Sequence, residues 1–202
     1  MKNIEEFIVK VSEKDIDLLN KKIDLTRWPD EINENWSHGT DLNFLKSFMD
    51  YWKTDFDWRK HEDKLNQVGS FKYLSKSGLK IHFLHSKSKL KNAIPLVMTH
   101  GWPGSVQEFL KVIPIIQKNS PFPIDIICPS LPGFGFSDKP TKPGMNSKEI
   151  AIIQHELVMA LGYKKYIVQG GDWGATISKW MAELFKNHCI AIHLNMVLAW
   201  PP

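Results

Sequence analysis

Residues 91–202 alternate short apolar runs with helical stretches, and this alternation constrains the fold more than any other feature. Pro95 to Thr99, Ile124 to Cys128, Tyr166 to Gln169 and Ile190 to Met196 read as strands. Ser105 to Ile113, Asn146 to Leu161 and Gly174 to Lys186 read as the helices between them, the second with Ile150, Ile153, Leu157 and Leu161 on one face. A strand that is apolar on both faces must be covered twice. The pattern therefore predicts an α/β fold, a mostly parallel sheet with helices on both sides.

The chain changes character near residue 90. Residues 1–90 hold 16 Lys and Arg, 15 Asp and Glu, 3 Gly and 1 Pro, whereas residues 91–202 hold 10, 7, 9 and 11. The first part reads as a domain of solvated helices, the second as buried strands joined by tight turns. Ser12 and Asp15 open one helix, and a second follows Asp41 with Leu42, Leu45, Phe48, Met49 and Trp52 at helical spacing. Asp57 to Leu65 reads as a third. Phe71 to Leu74 and Leu79 to Leu84 flank Lys76-Ser77-Gly78 as a hairpin. Trp28, Trp36, Trp52 and Trp58 stand among apolar positions and are expected in a core. The Lys87–Lys91 cluster reads as a solvated linker.

Several classes of function fall away. The formal charge of +4 on 202 residues is too small to mark a nucleic-acid partner. Two cysteines, Cys128 and Cys189, exclude a disulfide framework and are expected to be buried. No His or Cys pair has metal-ligand spacing, and Leu131 to Ser137 lacks the dinucleotide spacing, so no metal and no cofactor is expected. No stretch reaches the length of a membrane span, and the N-terminus lacks a signal-like apolar run. A cytoplasmic location is the expectation.

The chemistry lies where a strand meets a helix, at Gln169-Gly170-Gly171-Asp172-Trp173-Gly174. A nucleophile elbow turns so sharply that the residues two before and two after the reactive one must be small. Gly170 and Gly174 meet that condition around Asp172. A serine attacking an sp3 carbon would leave an inert ether, whereas a carboxylate leaves an ester that water can cleave. A carboxylate is also ionised near neutral pH and needs no base for its own activation. Aspartate at an elbow thus points to epoxides or alkyl halides. His100-Gly101-Trp102-Pro103-Gly104-Ser105 follows an earlier strand, where one backbone donor of an oxyanion hole belongs. The N–H groups of Trp102 and Trp173 are the candidate donors. His100 comes too early to be the usual base and reads as a structural hydrogen-bonding residue.

These motifs resemble the epoxide hydrolases of the α/β-hydrolase superfamily, specifically the soluble branch of the microsomal-type group. Thr26-Arg27-Trp28-Pro29-Asp30, Tyr51-Trp52, Phe56 to Arg59, Ile81-His82-Phe83, Cys128 to Ser137 and His193-Leu194-Asn195-Met196 carry the likeness beside the two loops above. The resemblance implies an N-terminal epoxide hydrolase domain over 1–90 and the first half of a hydrolase core over 91–202. It implies that Asp172 is the nucleophile, that Trp102 and Trp173 supply the oxyanion hole and bind substrate, and that the bond before Pro103 is cis. The substrate would be a small hydrophobic epoxide, converted with water to a diol in detoxification or aromatic hydrocarbon catabolism.

The lid tyrosines, the later acid and the histidine base of that family have no matching positions here. His155, His188 and His193 lie on the wrong elements, and Tyr163 and Tyr166 precede the elbow. The expectation is a chain that cannot turn over alone, and that forms a homo-oligomer or is complemented by a C-terminal fragment. The alternatives are a haloalkane dehalogenase-like hydrolase, which would need a halide cradle, and a non-catalytic fragment or split-enzyme piece.

Overall fold

A computed structural model describes residues 3–32 and 35–197. The strands follow from the apolar runs. β1 (Ile4–Glu6), β2 (Ser70–Leu74), β3 (Lys80–Ser86), β4 (Ile94–Thr99), β5 (Ile124–Pro129), β6 (Tyr166–Gly170) and β7 (Cys189–Leu194) form one seven-stranded sheet in the order β1-β2-β3-β5-β4-β6-β7. β1, β2 and β3 pair antiparallel, and β3 joins β5 antiparallel with Leu84 opposite Cys128. β4, β5, β6 and β7 are parallel, with Val97 facing both Ile127 and Val168. β4 thus sits between the two strands that follow it. This reversal of direction opens a crevice at the strands' carboxyl ends.

The sheet crosses the change of composition at residue 90. The compact division of the chain lies elsewhere: Val9–Asp63 forms one unit, and the described residues outside it form the other. The expected hairpin forms as β2 and β3, with Gly78 at φ +84° closing the turn onto the Ser75 carbonyl at 3.0 Å. Its apolar side chains become sheet core. Phe83, Leu84, Val97, Ile126, Ile127, Cys128 and Val168 are completely buried. Cys128 meets expectation, but Cys189 at the start of the outer strand is only half-buried. His82 is buried too. Its ring nitrogens pair with the hydroxyls of Ser70 and Ser130, each at 2.8 Å, and burial holds its pKa down at about 4.

The helices of this unit start where their caps lie. Asn146 accepts from the Lys148 and Glu149 N–H groups at the head of α5 (Ser147–Ala160), which by chain order follows three helices before β2 and one after β4. That earlier helix, α4 (Val112–Asn119), is shorter than the helix expected from Ser105 to Ile113. A 3-10 turn, Val106–Phe109, comes first. Pro114 lacks an N–H and fits only a first turn, so the regular helix begins just before it. α5 (Ser147–Ala160) buries Ala151, Ile153, Gln154, Leu157 and Val158. α6 (Trp173–Leu184) buries Ala175, Ile177 and Met181.

In the other unit, Ser12 caps α1 (Glu13–Asp24) and Asp41 caps α2 (Leu42–Thr54), as the sequence predicts. α3 (Trp58–Val68) begins there. Neither α1 nor α2 contains a buried residue. Burial opposes charge on Glu62, but the Val11 N–H, Arg59 and the Trp58 indole donate to its carboxylate and hold its pKa low. The expectation of core tryptophans holds only in part, with Trp28 and Trp58 half-buried. Trp36 and Trp52 are exposed, and Trp52 and Trp58 border an open apolar groove with Phe48, Tyr51 and Phe56.

Candidate active site

The elbow is sharp. β6 ends at Gly170 and α6 starts at Trp173. Between them Asp172 stands at φ 50°, ψ −127°. This is a rare conformation for a residue with a side chain, costing about 1–3 kcal/mol. The glycines make it feasible. A Cβ on Gly170 would strike the carbonyl of Gly174, and one on Gly174 would strike the carbonyl of Thr99 on β4. Small residues at both positions let strand, helix and neighbouring strand close on one another.

The loop after β4 comes to the same point. The Trp102 N–H donates to Asp172 Oδ1 at 2.7 Å. The Asp172 carboxyl lies where a side chain on Gly101 would begin. The Trp102–Pro103 peptide is cis. The Trp173 N–H belongs to the first turn of α6, among donors that a helix cannot pair internally. Asp172 and Trp102 are therefore brought together, with Trp173 adjoining in the chain.

His100 supports the loop. It is buried, its Nδ1 pairs with the Gly101 carbonyl at 2.9 Å, and its Nε2 accepts the Leu131 N–H at 3.1 Å. Both nitrogens are engaged, so Nδ1 carries the proton. Burial lowers its pKa, which suits a neutral ring in a structural place. His155 and His188 lie elsewhere. His155 stacks on Phe185 and pairs with the Tyr166 hydroxyl at 2.9 Å, and His188 pairs with the Lys164 carbonyl at 2.8 Å. These partners gather at the start of β6, the end of the strand away from Asp172. Tyr163 donates to Asp125 Oδ2 at 2.5 Å at the opening of β5.

A cavity of about 570 Å³ opens beside Asp172. Trp102, Pro103, Glu108, Phe109, Gln169 and Asn195 contribute to its wall. The Trp173 indole stands outside that lining and is exposed. Sequence reasoning missed Glu108, Gln169 and Asn195 as wall residues. The last two sit at carboxyl ends of strands, which is the signal that could have found them. Gly171 is bare because the Asn195 amide occupies the space beside it. Among the described residues no group of three or more His, Cys, Asp or Glu could hold a metal ion. No helix among them is long and apolar enough to cross a membrane.

Residues 4–109 match the family described as epoxide hydrolase N terminus, and residues 94–202 match the alpha/beta hydrolase fold. A relative from Stigmatella aurantiaca is 43% identical over 205 residues, which cover 98% of this chain and 46% of that protein. Epoxide hydrolase 1 of Oryctolagus cuniculus is 39% identical over 97% of this chain and 45% of its own length. The crystal structure of juvenile hormone epoxide hydrolase from the silkworm Bombyx mori superposes with a TM-score of 0.87 at 38% identity, covering 96% of this chain and 53% of that one. The chain thus spans about half the length of the relatives it matches. Two family matches that together cover the sheet, the elbow and the N-terminal helices place this chain in the epoxide hydrolase family, on an α/β-hydrolase fold.

Proposed function

We propose that this chain carries the nucleophilic step of epoxide hydrolysis, with a small apolar epoxide and water as reactants. One observation carries the reading: the Trp102 N–H holds Asp172 Oδ1 at a strand-to-helix elbow, leaving the other carboxylate oxygen for attack. That oxygen attacks a ring carbon from behind. The carbon–oxygen bond of the ring breaks, and the freed oxygen takes up a proton. Water then adds to the ester carbonyl, whose oxyanion the Trp102 and Trp173 N–H groups receive, and a vicinal diol leaves.

Hydrolysis of the ester needs a base. The histidine bordering the cavity, His100, has both ring nitrogens engaged. The base and the acid that protonates the epoxide oxygen are supplied from outside this cavity's own lining, by a complementing C-terminal segment or a second copy. A cytoplasmic role in detoxification or aromatic hydrocarbon catabolism fits such a reaction.

Incubation of the protein with styrene oxide, followed by intact-mass and peptide analysis, tests the proposal. One adduct per chain on Asp172 is expected, absent in Asp172→Ala. Failure to label Asp172 overturns the nucleophile assignment. Sustained diol production by the chain alone overturns the need for an outside base. Halide release from 1-bromobutane without epoxide labelling would move the protein to the dehalogenase reading.

A further inference from the structure

The loop that presents the Trp102 N–H is gripped at two points. At one end Asp172 fills the space beside Gly101 and takes the Trp102 N–H. At the other end Glu108 fills the space beside Gly104, where a Cβ would collide with Glu108 Oε1. The same oxygen accepts the Ser105 N–H at 3.0 Å, and the Ser105 carbonyl accepts the Glu108 N–H at 3.1 Å. Only Pro103 lies between the two grips. Pro103 has no N–H and so donates to neither grip.

Reciprocal bonds of this kind ordinarily steady the start of a helix. Here the capped element is a four-residue 3-10 turn, and Glu108 borders the same cavity as Asp172. What its carboxylate braces is the loop. We infer that Glu108 is a positioning residue for Asp172: by clamping Gly104 and Ser105 it holds the Trp102 N–H on Oδ1 and so aims the free carboxylate oxygen at substrate. The inference rests on Asp172 being the nucleophile. A misplacement of about 1 Å at a reacting group can cost on the order of a hundredfold in rate.

The test is the rate of Asp172 labelling by styrene oxide as a function of its concentration, in Glu108→Ala, Glu108→Gln and Glu108→Asp. The Ala variant is expected to lower the limiting rate about tenfold, with the half-saturating concentration within about twofold of the parent. Gln keeps an acceptor oxygen at the same reach and should retain most of the rate. Asp keeps the charge but is one methylene short and should be slow. A role confined to stability would instead make all three rates follow melting temperature. Hydrogen exchange of the Trp102 amide is read in parallel, with protection expected in the parent and Gln proteins and lost in the Asp and Ala proteins. Should the parent form no adduct, the nucleophile reading falls and the amide readout decides the clamp on its own. Should Ala fail to fold, Gln against Asp carries the comparison. Parent-like labelling with a protected Trp102 amide in the Asp variant, or a Gln variant as slow as Asp, overturns the inference.

Discussion

The two compact units hold themselves together by different means. In the sheet unit, Phe83, Leu84, Ile126 and Ile127 are wholly excluded from water. In the Val9–Asp63 unit, α1 and α2 bury no residue completely, and order comes from caps, from donors around the Glu62 carboxylate and from rings that touch while staying wet. Burial of this depth is worth several kcal/mol per large side chain, whereas capped and partly exposed contacts each contribute about 1 kcal/mol. The candidate site uses the stiffer support. Every residue placed around Asp172 belongs to the sheet unit.

The contrast is best broken by truncating one ring in each unit. Phe83→Ala should cost about 3–5 kcal/mol in chemical denaturation. Phe44→Ala should cost about 1 kcal/mol or less, because Phe44 is 51% exposed although it touches Trp36 and Phe48. Equal losses would erase the distinction. A second test strains the elbow itself. Gly174→Ala places a methyl against the Thr99 carbonyl and should destabilise the sheet unit by about 3 kcal/mol. Exchange protection in Val9–Asp63 should change far less.

The third test sharpens the comparison through pH. Burial holds His82 and His85 down at about 4, below their ordinary value of 6.5. Unfolded chains therefore bind more protons between those limits. The stability these rings contribute is complete above pH 6.5 and is lost as pH falls toward 4, by about 2 kcal/mol for one ring. Thermal melts from pH 7 to pH 4.5 should show the fall, and His82→Asn, which keeps hydrogen-bonding capacity without the titration, should make it shallower by one ring's share. A parent whose melting temperature is level across that range would contradict the buried, neutral assignment.

Much of this was legible because it is local. Ser12, Asp41 and Asn146 announce their helices by chemistry acting within three residues. The elbow is equally local, since Gly170, Asp172 and Gly174 are close in the chain. β1 was missed because Ile4-Glu5-Glu6 has no pattern of its own and becomes a strand only by pairing with β2. The change in charge at residue 90 obscured the sheet's extent for the same reason. β2 and β3 carry Lys72, Lys80 and His82, yet their backbone partners lead on to β5. The tryptophans of α2 and α3 misled because spacing reports which side chains share a face, not whether anything covers that face. Glu108 stands three residues after Ser105, a spacing that announces a helix start, but its bearing on Asp172 exists only once the Trp102 loop has met the elbow.

The Gly101–Asp172 contact has one more consequence. The Trp102 donor and its acceptor are 70 residues apart, and they meet only after β4 and β6 have paired. A partly folded chain therefore carries an ordinary surface aspartate with no aimed oxygen. Chemical labelling of Asp172 becomes a reporter of completed folding, able to count finished molecules in a mixture where spectroscopy sees only the average.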